Sequence, residues 1–306
     1  MGRYISGLLG ALEAEQPAGL RARPLFMPGP ATALRDLIKR VPGAYAMVEV
    51  ARALALERER QRGLAVYHET NHAAPPFRGP VVLTVHDLST VLHPETQERA
   101  RVRHFSRALR WRARNAARVI VPTEAIAREA AEHLSVAPAR LRVIHHGVDA
   151  RFTPAPGPRK DFLLYVGDGG PRKGLETLRA ARLPFVHAGP PDNFVSDDEL
   201  LRLYREAAAL VLPSLYEGFG LPLLEAMACG APCIASDDPA LLEVSQGAAL
   251  HFPRGNATAL KSAIERVLRD PALREELSQR GLERAGAFRW SDCAARHAEV
   301  YREAAA

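Results

Sequence analysis

The chain has 306 residues, 47% of them apolar and 25% charged, a globular composition that excludes disordered and fibrous sequence. Its length predicts two domains. The 41 Lys+Arg against 35 Asp+Glu give a formal charge of +6, and only Lys39, Lys160, Lys173 and Lys261 among the basic residues are lysines.

Three cysteines, Cys229, Cys233 and Cys293, are too few and wrongly spaced for a disulfide framework, which predicts a reducing compartment. No apolar run reaches bilayer length and the first ten residues lack a signal layout, so the expectation is a cytoplasmic protein.

The predicted elements alternate along the whole chain. Strands are expected at 64–67, 81–85, 119–121, 141–144, 162–166, 184–186, 210–212 and 233–235, with helices at 44–62, 124–134 and 197–208 among those between them. Ser196 and Glu199 form a capping-box pattern at the start of the last of these helices, a pairing that satisfies two orphan backbone donors. Such alternation predicts an α/β fold with parallel sheets covered on both faces.

Charge marks the boundary. Residues 1–158 carry 23 Lys+Arg and 14 Asp+Glu, a net +9, and residues 159–306 carry 18 and 21, a net −3. The change falls in Thr153-Pro-Ala-Pro-Gly-Pro158, whose three prolines and glycine make a stiff linker. The predicted organisation is therefore a first domain over 1–152, a linker over 153–160, a second domain over 161–290 and a final helix over 291–306 packing back on the first domain. The pair reads as two Rossmann-like domains facing each other, with ligand at the strand carboxyl ends.

The segment from Leu210 to Gly230 carries the chemistry. A buried strand ends at Pro213-Ser214, a loop follows with Glu217, Gly218 and Gly220, and Pro222 sits in the first turn of a helix that holds Glu225. Glycines allow close backbone approach, and a helix amino terminus suits phosphate or polar sugar. Two carboxylates beside such a site make sense when the ligand also presents hydroxyl pairs, because an ionised carboxylate accepts from two neighbouring hydroxyls. Nucleotide sugars combine ribose diol, diphosphate and hexose hydroxyls.

Glu217 and Glu225, with Gly-Phe-Gly-Leu-Pro between them, resemble the signature of the retaining GT-B glycosyltransferases of family four, the glycosyl transferases group 1. Phe162-Leu-Leu-Tyr-Val-Gly-Asp-Gly-Gly-Pro-Arg-Lys-Gly174 resembles the first strand and phosphate loop of that family's donor domain. Val143-Ile-His-His-Gly-Val-Asp149 resembles the segment before its interdomain linker, Val82-Leu-Thr-Val-His-Asp-Leu88 its histidine loop, and Met1-Gly-Arg-Tyr-Ile5 its first helix.

The resemblance implies a donor site of Gly167, Arg172, Lys173, Glu217, Gly218, Phe219, Gly220, Leu221 and Glu225. Glu225 would hold the nucleotide ribose, Glu217 the transferred sugar's hydroxyls or the developing positive charge, and Arg172 and Lys173 the diphosphate, whose departure their charge assists. His86 would orient the sugar or polarise the acceptor, making His86, Glu217 and Lys173 the implied catalytic set. Arg3, Tyr4 and His68 are the acceptor-side candidates. The chain contains no Asp-x-Asp, so a metal-independent reaction with no cofactor is expected, using a GDP- or UDP-hexose as substrate. The implied activity moves mannose or glucose to a glycan or lipid-linked acceptor in envelope polysaccharide synthesis.

Three departures stand beside the resemblance. The family's first strand and glycine-rich turn do not precede Gly2, so the strand is absent or the start lies upstream. Lys173 and Glu217 are too close in sequence for the usual elements, which implies a missing βα unit. Asp168 stands where relatives carry Arg or Thr, and would repel diphosphate unless paired with Arg172. These departures support a second reading, a shortened GT-B relative that binds a partner or glycan without catalysis.

His68-Glu69-Thr70-Asn71-His72 matches the H-E-x-x-H zinc pattern, but it follows a β-rich run and meets Pro75-Pro76, so no helix is expected to hold it. The arginines at 99, 103, 107, 110, 114 and 118 recur at helical spacing. A solvated face is the first reading of this stripe and peripheral contact with an anionic membrane the second. No nucleic-acid motif accompanies the charge.

Overall fold

The computed structural model describes residues 2–25, 44–70, 77–96, 99–190 and 193–306, with the side chains of 44–49, 99–101 and 103–105 left aside. Two parallel sheets organise them. The first holds β1 (Tyr67–Glu69), β2 (Val81–Thr84), β3 (Arg118–Val121) and β4 (Leu141–Val143) side by side in chain order. The second holds β5 (Leu163–Val166), β6 (Phe185–Ala188), β7 (Ala209–Leu212), β8 (Cys233–Ser236) and β9 (Leu250–Phe252), in the order β6-β5-β7-β8-β9.

Parallel neighbours require crossovers, and helices supply most of them. α1 (Gly2–Glu15) and α2 (Ala44–Gln61) precede the first sheet; α3 (Ser89–Leu92) and α4 (Arg99–Asn115) join β2 to β3, and α5 (Glu124–Leu134) leads towards β4. In the second sheet α6 (Leu175–Ala180), α7 (Asp197–Glu206), α8 (Leu221–Ala228) and α9 (Pro239–Ser245) take the same role. α10 (Ala257–Arg269), α11 (Pro271–Gly286) and α12 (Trp290–Ala305) complete the chain.

The inner strands β2, β3, β5, β7 and β8 are mostly buried on both faces and accordingly read as apolar runs, whereas the edge strands β1, β4, β6 and β9 carry His68, Glu69, Arg142, His187 and His251. Leu83, Val85, Val119 and Val121 point to one face of the first sheet, and Val82, Ile120 and Ile144 to the other. In the second sheet Leu164, Leu210 and Leu212 face one core while Leu163, Tyr165 and Val211 face its opposite. On α1 the buried residues Tyr4, Leu8 and Leu12 recur every four positions and meet Ala294 and Trp290. α12 also lays Cys293, Val300 and Ala304 against Val82 and Ile120, so the end of the chain lies in the core of the first sheet.

Several sequence expectations shift. β1 begins at Tyr67, where the predicted strand ended, because Leu64 N–H still donates to Glu59 O at 3.0 Å and closes α2. β9 carried no sequence expectation; three residues are too short to show a period. The capping box is half formed: Ser196 Oγ accepts from Glu199 N–H at 3.2 Å, but the Glu199 carboxylate is held by Arg202.

A six-stranded Rossmann sheet runs 3-2-1-4-5-6. Here β5 and β6 take its first and second places, and among the described residues no strand lies outside β6. β6 ends at Ala188 and α7 begins at Asp197, so the shortening inferred from sequence falls at this sheet edge. No helix among the described residues is long and apolar enough to cross a membrane.

Candidate active site

β5 and β7 are neighbours in the second sheet, so the loops after them meet at its carboxyl edge. The loop after β5 tightens into a single turn, Pro171–Lys173, and the loop after β7 carries Ser214 and Glu217. Lys173 Nζ donates to both Glu217 carboxylate oxygens at 2.6 and 2.8 Å, and Ser214 Oγ donates to one of them at 2.8 Å. Glu217 is 6% exposed, so a charge is stabilised here by a cation and a hydroxyl where water is largely excluded.

Glu225 lies on α8, which Pro222 starts from its first turn. It is 3% exposed. Burial pushes its carboxyl up, while Arg3 and the Tyr204 hydroxyl act in the opposite direction. Arg3 Nη1 donates to Glu225 Oε1, and Tyr204 OH donates to Glu225 Oε2 at 2.9 Å.

Two glycines of this loop have definite tasks. A Cβ on Gly218 would lie 1.9 Å from the backbone oxygen of His86, so Gly218 lets the Glu217 loop close on the first sheet's histidine loop. The sequence reading assigned that closeness to ligand; the structure gives it to His86. Gly220 has φ +92°, a left-handed conformation that leads into α8, and a Cβ there would meet Leu241. The Phe219 ring is buried among His146, Phe288 and the second core, where it supports the loop. Leu221 is half-buried against the same core. Gly167 O accepts from His187 Nε2 at 2.9 Å. The Asp168 carboxylate accepts from Gly170 N–H at 3.0 Å, so the loop backbone, and not Arg172, engages it.

His86 follows β2 and its Nε2 donates to Thr70 O at 3.0 Å. Its ring meets the Tyr4 edge with centroids 4.7 Å apart and His146 at 5.6 Å. The acceptor-side candidates divide. Tyr4 is 1% exposed, its hydroxyl bonded to Thr84 Oγ1 at 3.1 Å and His297 Nε2 at 2.9 Å, so it is a core support for His86 and not an acceptor contact. His68, half-buried, is held between Tyr301 OH and Thr84 Oγ1, each at 2.7 Å. Arg3 reaches the donor-side Glu225. The imidazoles of His68 and His146 are driven well down by burial and by neighbouring histidines, and burial brings His297 down to about 4. All three are neutral at pH 7.

His68 and Glu69 stand on a strand, where successive side chains take opposite faces, so the helical zinc geometry does not form; His72 lies outside the described residues. Among the described residues no group of three His, Cys, Asp or Glu is placed to hold a metal ion.

Tyr204, Ser214 and Asp238 belong to the site and were not singled out from sequence. Ser214 directly follows the strand and was the most accessible to pattern; the other two come from separate elements. Asp238 caps α9, its Oδ1 accepting from Ala240 N–H at 2.9 Å, while Oδ2 accepts from Glu217 N–H at 3.3 Å. Burial and the Glu217 charge push its carboxyl up to about 6. An acid whose folded pKa exceeds its unfolded value of about 3.9 is protonated more readily in the native state, so it costs stability as pH rises from about 4 to 6. Asp238→Asn keeps the cap acceptor and removes the charge. We expect its melting temperature, relative to the unmodified chain, to rise by the equivalent of about 2–3 kcal/mol between pH 4 and 6.5. The lost Glu217 bond is a pH-independent offset, and parallel melting curves would refute the assignment.

The sequence matches the family described as glycosyl transferases group 1 over residues 193–284 and that described as glycosyltransferase family 4 over residues 10–152. It is 28% identical over 282 residues to O-antigen chain mannosyltransferase B of Escherichia coli, covering 78% of this chain and 74% of that protein. It is 30% identical over 278 residues to the MMP alpha-(1->4)-mannosyltransferase of Mycolicibacterium hassiacum, covering 74% of this chain and 66% of that protein. The structure is similar to sucrose-phosphate synthase from Thermosynechococcus elongatus with a TM-score of 0.73 and 24% identity, over 98% of this chain and 92% of that one. The fold is GT-B, and the chain belongs to the family four, group 1 glycosyltransferases.

Proposed function

We propose that this chain transfers a hexose, mannose or glucose, from a GDP- or UDP-sugar to a glycan or lipid-linked acceptor of the cell envelope, with retention of anomeric configuration. The observation that carries the reading is the ion pair of half-buried Lys173 with buried Glu217 after β5 and β7, together with the buried Glu225 on the helix that follows β7. The names of the relatives support mannose and an envelope glycan.

Lys173 has three N–H donors, of which Glu217 engages two, so one is left for a diphosphate oxygen. Arg172, half-exposed in the same turn, adds a second cation. Together they neutralise the charge that grows on the leaving diphosphate, which is the part a metal ion would otherwise take. The sugar's C1–O bond to the phosphate breaks and the acceptor oxygen bonds C1 on the same face. The acceptor proton passes to the departing phosphate oxygen. Glu217 faces the sugar as positive charge develops, and His86 orients it from the other side of the cleft. Contact with an anionic membrane is supported by α4, where the exposed Arg107, Arg110 and Trp111 share one helical face.

The test is incubation of the purified chain with a panel of GDP- and UDP-hexoses and candidate acceptors, following nucleotide release and the anomeric form of the product. Retained configuration with a mannosyl or glucosyl donor and no added metal is expected. Nucleotide binding without turnover by any donor would favour the non-catalytic GT-B reading.

A further inference from the structure

The donor residues discussed so far come from the second sheet and its helices. The structure adds one from the first half. Arg3, in the first turn of α1, spans the cleft with both ends of its guanidinium engaged: Nη1 donates to Glu225 Oε1, and Nη2 donates to Asp197 Oδ1 at 3.1 Å. The Phe152 ring lies beneath the guanidinium, 5.4 Å from its centroid. Asp197 is itself held by Arg151, at 2.9 Å, so the far anchor of Arg3 is fixed.

The consequence lies in the free positions on Glu225. Each carboxylate oxygen offers about two acceptor positions. Arg3 takes one on Oε1 and Tyr204 takes one on Oε2, which leaves about one on each oxygen of the same carboxylate. One acceptor on each oxygen suits a vicinal diol. Arg3 and Tyr204 also hold the carboxylate plane still, and the Arg3 charge keeps a buried group in its ionised, acceptor-only form. Without Arg3, that carboxylate sits in a dry site with a neutral phenol as its remaining partner, and its ionised form loses its main support.

We infer that Arg3 is a positioning residue of the nucleotide site: from across the cleft it aligns Glu225 for the ribose hydroxyls, so that donor binding and closure of the two halves are linked. The inference rests on the proposed function, in which Glu225 receives the ribose. Linkage follows because a nucleotide that binds best to the Arg3-supported carboxylate favours the closed arrangement that brings Arg3 there.

The experiment compares GDP and UDP with their 2′,3′-dideoxy counterparts by isothermal titration of the full chain, in the unmodified protein and in Arg3→Ala and Arg3→Lys. The expected result for Arg3→Ala is about a tenfold weaker affinity for the ribonucleotide and an affinity for the dideoxy analogue within twofold of the unmodified chain. Arg3→Lys keeps the charge and one of the two contacts, so it should recover part of the loss; thermal melts verify that both variants are folded. Small-angle scattering should show compaction on adding nucleotide to the unmodified chain and less of it in Arg3→Ala. Equal losses for ribo- and dideoxynucleotide would overturn the inference, as would unchanged binding, or tighter binding that marks Arg3 as a plug competing with ligand. If the unmodified chain binds neither nucleotide, the donor reading itself fails and takes this inference with it. Unmodified binding that Arg3→Ala leaves intact overturns the inference alone.

Discussion

Lys173→Met is expected to abolish turnover and to destabilise the chain together, whereas Glu217→Gln should abolish turnover at a much smaller loss of stability. The asymmetry follows from burial. Glu217 is almost wholly enclosed, and Lys173 is its cation. Removing that cation leaves a carboxylate supported by one hydroxyl and near a second acid, Asp238, a situation that costs about 3–5 kcal/mol. Removing the Glu217 charge instead leaves an ammonium that retains some access to solvent. In the proposed mechanism either change removes a group that answers charge developing in the reaction, so a fall in turnover on the order of 10²–10³ is expected. Denaturant titration and nucleotide release measure the two quantities separately. The double variant Lys173→Met with Glu217→Gln should recover most of the stability and none of the turnover. Turnover within tenfold of the unmodified chain in Lys173→Met would remove the pair from the mechanism.

Tyr216→Ala should be the other severe change, for a reason unrelated to chemistry. Tyr216 immediately precedes Glu217 on the second-sheet loop, yet its ring is buried in the first sheet's core with Leu83, Val85, Leu88 and Ile126. Its hydroxyl donates to Glu129 Oε2 at 2.6 Å and accepts from Leu88 N–H at 2.8 Å. Loss of a buried aromatic of this size costs about 3–5 kcal/mol. Because the ring belongs to one half and its pocket to the other, the loss falls on their junction. Calorimetry should show one unfolding transition for the unmodified chain and two for Tyr216→Ala, with Tyr216→Phe intermediate. A single, merely lowered transition in Tyr216→Ala would show that other contacts carry the coupling. Such contacts exist: Glu243 on α9 accepts from Glu124 N–H at 2.8 Å and Ala125 N–H at 3.1 Å, capping α5 from the opposite half. Thr123 Oγ1 likewise donates to Gly218 O at 3.1 Å.

Most strands and the α/β class were legible in sequence because each strand is a short apolar run between helical stretches, a local pattern that survives folding. α5 occupies its predicted residues, bounded by the Thr123 side chain that accepts from Ile126 N–H at 3.3 Å and by Ser135 at φ 56°. The resemblance placed Lys173 at the diphosphate and the two motif acids at the sugar and ribose without pairing them; the structure brings Lys173 onto Glu217. It does not bring it onto Glu225, which belongs to Arg3 and Tyr204. Arg3 was assigned to the acceptor side because sequence shows only which half a residue comes from. A side chain long enough to cross a cleft answers to the opposite half. The protein partners of Tyr4, His68 and the Phe219 ring were hidden for a related reason: a polar or aromatic residue beside a motif looks the same in sequence whatever it packs against.

By itself the sequence determined the alternation of strands and helices, the charge division at residue 158, the two motif acids and the shortening between Lys173 and Glu217. These are properties of spacing and composition, and chain order preserves them. The tertiary structure alone decided which partner each buried charge receives. It assigned Lys173 to Glu217, Arg3 to Glu225, the Tyr216 ring to the first sheet's core, and the space beside Gly218 to the backbone of His86. Buried charges are stable only beside specific partners: the pairing of β5 with β7 brings Lys173 to Glu217, and the way the two sheets close on each other brings Arg3 to Glu225, 222 residues away.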